Sequence, residues 1–372
     1  KYILNHMRNY FFAIGIMSGT SADGVDLALI KTDGLNYFEP VCNYSINYGK
    51  KLKADIATLS KNFSSKKSLH YKIIFLENEI TSIYIEGIKK LLKKANVKTK
   101  DIYIIGAHGQ TIFHSAKEHV SLQLVNSSSI SNFFNIPVAS NFRQNDIQNE
   151  GQGAPLVPIF HAVLRKYLDI STSTIFINIG GISNLTYVSN FDSLIAFDTG
   201  PGMCLLDQYI YKTKGEKFDP YGKYSYNGTV NKKILKNEIS DSFFRKKFPK
   251  SLDKNYFDLE KYKNLNFYDA CATISMFTAE SISLGIKQLG KKFESIIVMG
   301  GGSRNLFILD QINKITKKNI YSINDYSLLD DQIEAQAFAY LAVRSAKRLP
   351  ISFPGTTGVK KSITGGDIFK II

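Results

Sequence analysis

Apolar residues near the start of the chain fall in short unbroken runs, the pattern of strands covered on both faces. Residues 11–17 form one run and residues 25–32 another, separated by a turn-rich stretch at 18–24. Residues 41–48 alternate apolar with polar and predict a third strand. The period then becomes helical over 69–94, where Leu76, Ile80, Ile83, Ile88 and Leu91 recur on one face. Residues 101–107 read as a short buried strand ending in the polar cluster His108-Gly109-Gln110-Thr111. A helix at 127–134 and a strand at 136–139 follow. Beyond a polar, glycine-containing stretch at 141–153, residues 154–168 predict a helix. Strands at 173–180, 184–189 and 193–198 then repeat the opening order, with a helix at 202–213 after them. Residues 214–265 are polar, basic and weakly patterned, and are expected to be irregular. A long helix at 269–289, a strand at 294–299, a helix at 330–347 and a loop-rich tail at 349–366 complete the chain.

Three strands with tight turns, followed by helices and further strands, therefore occur twice. That recurrence predicts an α/β protein of two similar halves, with the cleft between them as the default ligand site. The expected domains are 1–140, joined by the tail 350–372, and 141–349.

Composition narrows the partners. The 372 residues carry 47 Lys and Arg against 32 Asp and Glu, a net charge of +15. The excess lysines are scattered in short runs such as Lys50-Lys51 and Lys360-Lys361, which reads as solvated faces rather than a specific nucleic-acid footprint. The charge still favours polyanionic ligands such as a nucleotide. No run approaches about 18 apolar residues, so no membrane partner is expected. Cys42, Cys204 and Cys271 have neither zinc nor disulfide spacing, which fits a reducing, cytoplasmic setting. Arg8 followed by the apolar residues 10–17 has the outline of a signal peptide, but is equally a buried first strand. Residues before Met7 read as an upstream extension.

Four glycine-rich clusters each follow a predicted strand: Ser18-Gly19-Thr20-Ser21-Ala22-Asp23-Gly24, Gly180-Gly181, Thr199-Gly200-Pro201-Gly202 and Gly300-Gly301-Gly302. Such turns expose backbone N–H groups that phosphate oxygens can use. The familiar nucleotide fingerprints, GxGxxG and the Gly-Lys-Ser/Thr phosphate loop, are absent. Asp198 ends an apolar strand just before a glycine turn and a helix. It is a candidate catalytic carboxylate that a helix N-terminus would keep ionised, or else a helix cap. Asp23 and Asp26 flank Gly24, where one could position a metal-bound water, or simply form a turn. His108 and His114 lack a third metal ligand in sequence, so hydrogen bonding to a polar substrate is the better reading. Arg143 could grip an acidic ligand with two hydrogen bonds, or pair with Asp146 at the surface. Glu334 reads locally as a helix-face charge. Gly-x-Ser-x-Gly does not occur, and no Cys has a nearby His in sequence.

Together these segments carry a resemblance. Met17-Ser18-Gly19-Thr20-Ser21-Ala22-Asp23-Gly24-Val25-Asp26 resembles the opening signature of the anhydro-N-acetylmuramic acid kinases. The similarity continues through Gly106-Ala107-His108-Gly109-Gln110-Thr111, Asn141-Phe142-Arg143 with Asp146, and Gly151-Gln152-Gly153-Ala154-Pro155-Leu156. It extends over Asn178-Ile179-Gly180-Gly181-Ile182-Ser183-Asn184-Leu185, Phe197-Asp198-Thr199-Gly200-Pro201-Gly202, Gly300-Gly301-Gly302 with Asn305, and Glu334-Ala335. The family belongs to the acetate kinase, sugar kinase, Hsp70 and actin superfamily. The resemblance implies two RNase H-like domains around an interdomain ATP cleft. It also implies ATP-dependent opening of the 1,6-anhydro bond of anhydro-N-acetylmuramic acid, with phosphorylation of O6, in peptidoglycan recycling. Asp198 matches the family's base. Residues 19–26 with Gly180, Gly181, Gly200, Gly300, Gly301, Gly302 and Asn305 would hold ATP, with Mg2+ reached through water by Asp23 or Asp26. Arg143 would take the lactyl carboxylate of the sugar, and His108, Gln110, Thr111 and Glu334 its hydroxyls and acetamido group. A homodimer is expected. An actin- or Hsp70-like ATPase without sugar kinase activity and an inactive sugar-binding relative are the alternatives. The chain departs from the pattern at Pro249-Lys250-Ser251-Leu252-Asp253-Lys254, which lacks a Thr-Gly pair, and at Glu150, where glycine is common.

Overall fold

The computed structural model describes residues 10–19, 22–63, 69–190, 193–252 and 256–370. The chain divides into two compact units, residues 1–169 with 332–372, and residues 170–331.

The first unit opens with strands β1 (Phe11–Ser18), β2 (Gly24–Thr32) and β3 (Phe38–Asn47), then helices α1 (Lys50–Asn62) and α2 (Leu69–Ala95). Strands β4 (Ile102–Ser115) and β5 (Val120–Leu124), helix α3 (Ser127–Phe134), strand β6 (Val138–Ser140) and helices α4 (Gln144–Gln148) and α5 (Pro158–Tyr167) follow. The second unit holds β7 (Thr174–Ile179), β8 (Ile182–Asn190), β9 (Ser193–Pro201), α6 (Cys204–Lys214), α7 (Lys223–Tyr226), α8 (Lys232–Ile239), α9 (Phe267–Leu289), β10 (Ser295–Met299), α10 (Leu306–Thr316) and β11 (Ile320–Ser322). The chain then returns to the first unit with α11 (Ile333–Ala346), α12 (Pro354–Thr357) and β12 (Asp367–Phe369).

The first sheet runs β12-β6-β4-β1-β2-β3, with β5 paired to β4. The second runs β11-β10-β7-β8-β9. In each, three antiparallel strands in sequence are extended by parallel partners on the first strand's far side. The duplicated α/β topology expected from the apolar runs is thus present, with the strand order of an RNase H-like sheet.

Covering both faces explains the unbroken apolar runs. Helix α2 packs on β2 and β3, while α11 lies on β1, β2 and β4. The α11 contact is close enough to require glycine: a Cβ on Gly15 would lie 1.8 Å from the Ala335 carbonyl oxygen. In the second unit α9 packs against β8 and β9. Asn266 caps its start by accepting from Asp269 N, and Gly290, at φ +60°, ends it.

Several details differ from expectation. The unit boundaries fall at 169/170 and 331/332, because α5 packs on β3 and α11 on the first sheet. Strand β4 is fourteen residues long, so His108, Gln110 and Thr111 lie inside it and not in a loop after it. It stays extended because β5 pairs with its second half. The stretch 214–265, expected to be irregular, contains α7 and α8. The apolar run at 11–17, by contrast, forms the expected first strand, with β1 lying between β4 and β2.

Candidate active site

The first unit gathers one cluster of polar residues around the end of β1. Ser18 Oγ lies 2.7 Å from both the Tyr48 and Tyr84 hydroxyls, and this buried trio anchors the glycine-rich turn that follows. The Gly19 carbonyl accepts from Gln110 Nε2 at 3.0 Å and from Ala22 N at 3.0 Å. Thr20 and Ser21 lie outside the described residues. Gly24 enters β2 so close to β3 that a Cβ would lie 2.3 Å from the Ile46 carbonyl oxygen. Of the two acids flanking it, Asp23 is exposed and paired with Lys53 at 3.0 Å. Asp26 is instead held in place: Ser45 Oγ donates to its Oδ1 at 2.6 Å and Gln332 Nε2 at 3.3 Å. The Gln332 Oε1 atom beside it is buried without a partner.

Arg143 donates from Nε to His108 Nε2 at 3.0 Å and from Nη1 to the Gly153 carbonyl at 2.7 Å. The other His108 nitrogen, Nδ1, lies 2.9 Å from the Gly109 carbonyl. A ring that accepts at Nε2 carries its proton on Nδ1, so both nitrogens are engaged. Burial, reinforced by the Arg143 charge, holds the His108 pKa well below its ordinary value. His108 therefore contributes through Arg143, not through a free ring nitrogen. Gln110 likewise ties the Gly19 turn, while its Oε1 is buried and unpartnered. Thr111 stays partly exposed on β4. Glu334 sits in the first turn of α11; burial raises its pKa, and the Arg143 charge counteracts that. It is not the exposed helix-face charge that local sequence suggested.

Asp146 does not pair with Arg143 at the surface. It is buried, accepts from Gly153 N at 2.6 Å and from Thr357 Oγ1 at 2.5 Å, and so fixes the carbonyl that Arg143 grips. His114 is engaged at both nitrogens, near Ser121 Oγ and the Gln152 carbonyl, each at 3.0 Å. Among the described residues no group of three or more His, Cys, Asp or Glu could hold a metal ion.

The second unit carries the other glycine turns. Gly180 and Gly181 join β7 to β8, and their carbonyls accept from Met203 N at 2.8 Å and Gly202 N at 3.0 Å. The 180–181 and 200–202 turns are thereby stitched together. Gly300 has φ +82°, a left-handed conformation that favours glycine, and a Cβ there would lie 2.3 Å from Asn178 Oδ1. Asp330 steadies the turn after it, accepting from Ser303 Oγ at 2.8 Å and pairing with Arg304 at 3.1 Å. Asn305 caps α10 through Oδ1, bonded to Ile308 N at 3.2 Å, and leaves its Nδ2 buried and unpartnered.

Asp198 lies within β9, opposite Asn184 of β8. The helix after it starts only at Cys204 and uses no side-chain cap, so helix capping is not its role. Its Oδ2 accepts from Leu252 N at 2.8 Å. Burial pushes its pKa up to about 7, opposed by the Leu252 N–H and by the charge of Lys250. This reverses the expectation that a helix N-terminus would keep it fully ionised: loss of water outweighs the favourable dipoles. A carboxyl that titrates near neutrality is suited to accepting a proton. Lys250 and Asp330 were not singled out by sequence reasoning. Lys250 appeared only within a divergent loop, and nothing local marks either residue.

The chain is similar to known proteins over nearly its whole length. The family model for anhydro-N-acetylmuramic acid kinase matches residues 11–371. Proteins of that name from Pelagibacter ubique, Bradyrhizobium diazoefficiens and Nitrobacter winogradskyi are 41%, 35% and 36% identical. The alignments cover 98%, 96% and 95% of this chain and 100%, 98% and 98% of those relatives. The chain belongs to the anhydro-N-acetylmuramic acid kinase family.

Proposed function

We propose that the protein uses ATP and water to convert anhydro-N-acetylmuramic acid into N-acetylmuramic acid 6-phosphate, a step of peptidoglycan recycling. The observation that carries this reading is Asp198, a carboxyl titrating near pH 7 and oriented by a backbone N–H. In the proposed reaction Asp198 accepts a proton from water as the water oxygen attacks the anomeric carbon. The bond from that carbon to O6 breaks, and the released O6 takes the γ-phosphoryl group from ATP, leaving ADP. Such a base contributes about 10²–10⁴-fold. The rest depends on alignment of the reacting atoms.

The glycine turns at 19–24, 180–181, 200–202 and 300–302 and the free amide of Asn305 are assigned to ATP. Asp26, held by Ser45 and Gln332, is the better of the two acids for a water-bridged cation, since Asp23 is exposed and already paired. One carboxylate plus the phosphates is the way Mg2+ is usually bound, which fits the lack of an all-protein cage among the described residues. Mg2+ would supply charge neutralisation at the transferred phosphoryl group. Arg143 is assigned to the lactyl carboxylate, with Gln110, Thr111 and Glu334 near the hydroxyls and acetamido group. A cytoplasmic homodimer remains the expectation from sequence.

The direct test is to incubate the protein with Mg-ATP and anhydro-N-acetylmuramic acid and weigh the product. A phosphosugar carrying one added water is expected. ADP release without a phosphosugar would overturn the reading in favour of an ATPase. Sugar binding without ADP release would indicate an inactive relative.

A further inference from the structure

The segment where this chain departs from the family's pattern is packed directly against Asp198. Lys250 is only 8% exposed. A buried ammonium needs partners, and Lys250 Nζ donates to Gln288 Oε1 at 2.9 Å and to the Phe243 carbonyl at 3.3 Å. It also lies over two rings, 4.5 Å from the centroid of Phe243 and 5.7 Å from that of Phe197, the residue before Asp198. The backbone around it reaches the same carboxylate. Asp198 N donates to the Lys250 carbonyl at 3.0 Å, and Leu252 N donates to Asp198 Oδ2 at 2.8 Å. Three residues thus bracket Asp198 by its main chain and by its carboxylate, and the side chain that pins the bracket is a cation.

We propose that Lys250 is a positioning residue for the reaction: its anchored side chain holds the segment that orients Asp198, and its positive charge favours the charged carboxylate. This rests on the reading of Asp198 as the base. The electrostatics run the same way from both partners. The Lys250 charge lowers the Asp198 pKa against the effect of burial, and Asp198 raises that of Lys250. Burial brings Lys250 down to about 8, with Lys246 as the further cation acting on it. Gln288, which receives the ammonium, is neutral, so no second carboxylate neutralises Lys250 among the groups that act on it.

The test is the pH dependence of kcat/KM in the wild type, Lys250→Met and Gln288→Leu. Methionine keeps the length and apolar stem and removes only the charge and its hydrogen bonds. Loss of the cation should move the acidic limb of Lys250→Met up by about one pH unit, lowering the rate about tenfold at pH 6.5 with recovery at alkaline pH. KM for ATP and sugar should stay unchanged. Gln288→Leu frees the ammonium but keeps it, and should shift the limb the same way by less. A rate lowered equally at every pH, with the limb in place, would mean a merely structural role and overturns the inference. If Lys250→Met does not fold, an unmoved limb in Gln288→Leu overturns it as well. Asp198→Asn separates the two layers. Wild-type turnover in that variant removes the base assignment itself, whereas an inactive Asp198→Asn with an unmoved limb in Lys250→Met removes only the role of Lys250.

Discussion

Arg143 and His108 are locked together: the guanidinium Nε donates to the imidazole Nε2, and His108 spends its remaining proton on its neighbour's carbonyl. The bond leaves one edge of the guanidinium fixed by protein, since Nη1 is held by the Gly153 carbonyl. The cation is thus oriented before any ligand arrives, and little side-chain entropy remains to be lost on binding.

Arg143→Ala should weaken binding of the sugar about tenfold to a hundredfold while leaving ATP affinity unchanged, as expected for loss of a charged hydrogen bond. Calorimetric titration with the sugar and with an analogue lacking the lactyl carboxylate checks this. An equal loss for the analogue would remove the assigned role.

Asp198→Asn keeps the shape and most of the hydrogen bonding of the carboxylate but cannot take a proton. Turnover should fall by about 10²-fold or more with both substrates still bound. Because the native carboxyl titrates near pH 7, wild-type kcat/KM should rise with pH through that region as the base becomes ionised. A flat profile between pH 6 and pH 8 would count against the assignment.

Asp207 offers a stability test independent of activity. Burial, with the nearby Asp219 charge, raises its pKa to about 7. In the unfolded chain it ionises near pH 4. Between those values the native state retains a proton that the unfolded state has lost, so the cost of Asp207 grows as pH rises and is fully developed above pH 7. Asp207→Asn should therefore be more stable than wild type at pH 8, with the advantage shrinking toward pH 4. Denaturant melts at several pH values would show it, and a constant difference would contradict it.

Glu150 stands in the left-handed region at φ +67°. Its ion pair with Lys360, at 3.0 Å, is exposed on both sides and contributes little. Glu150→Gly should relieve the backbone and raise stability by about 0.5–1 kcal/mol, read from the midpoint of chemical denaturation. A drop in stability would show that the carboxylate matters more than its conformation.

The two strand meanders were legible because covered sheets leave unbroken apolar runs, as at 11–17 and 25–32. Helix α1 was not: its Leu52, Ile56 and Leu59 are spaced as a helix face but sit among lysines, of which Lys50-Lys51 read only as a solvated face. Strand β5 is five residues long, too short for its period to stand out. At the candidate site, the motifs gave positions more readily than purposes. Gln110 and His108 looked like ligand contacts, yet the groups they bond, the Gly19 carbonyl and Arg143, lie far off in sequence. The burial of Lys250 depends on Phe243 and Gln288, the latter 38 residues away. The glycine missing at Glu150 was visible as a departure, but only the backbone angle gives its physical meaning.

The insertion of one unit within the other has a consequence for how the chain is made. Residues 170–331 are continuous and can close as soon as they have been synthesised. The first unit cannot, because α11, whose backbone fits against Gly15 and Gly106, and the edge strand β12 come from the last forty residues. Until they emerge, one apolar face of the first sheet has no cover. At ordinary rates of synthesis that interval lasts roughly 10–30 s while the second unit is translated. The half of the protein that is started first is therefore finished last, and the Asp146–Thr357 bond that steadies the Gly153 carbonyl is among its final closures.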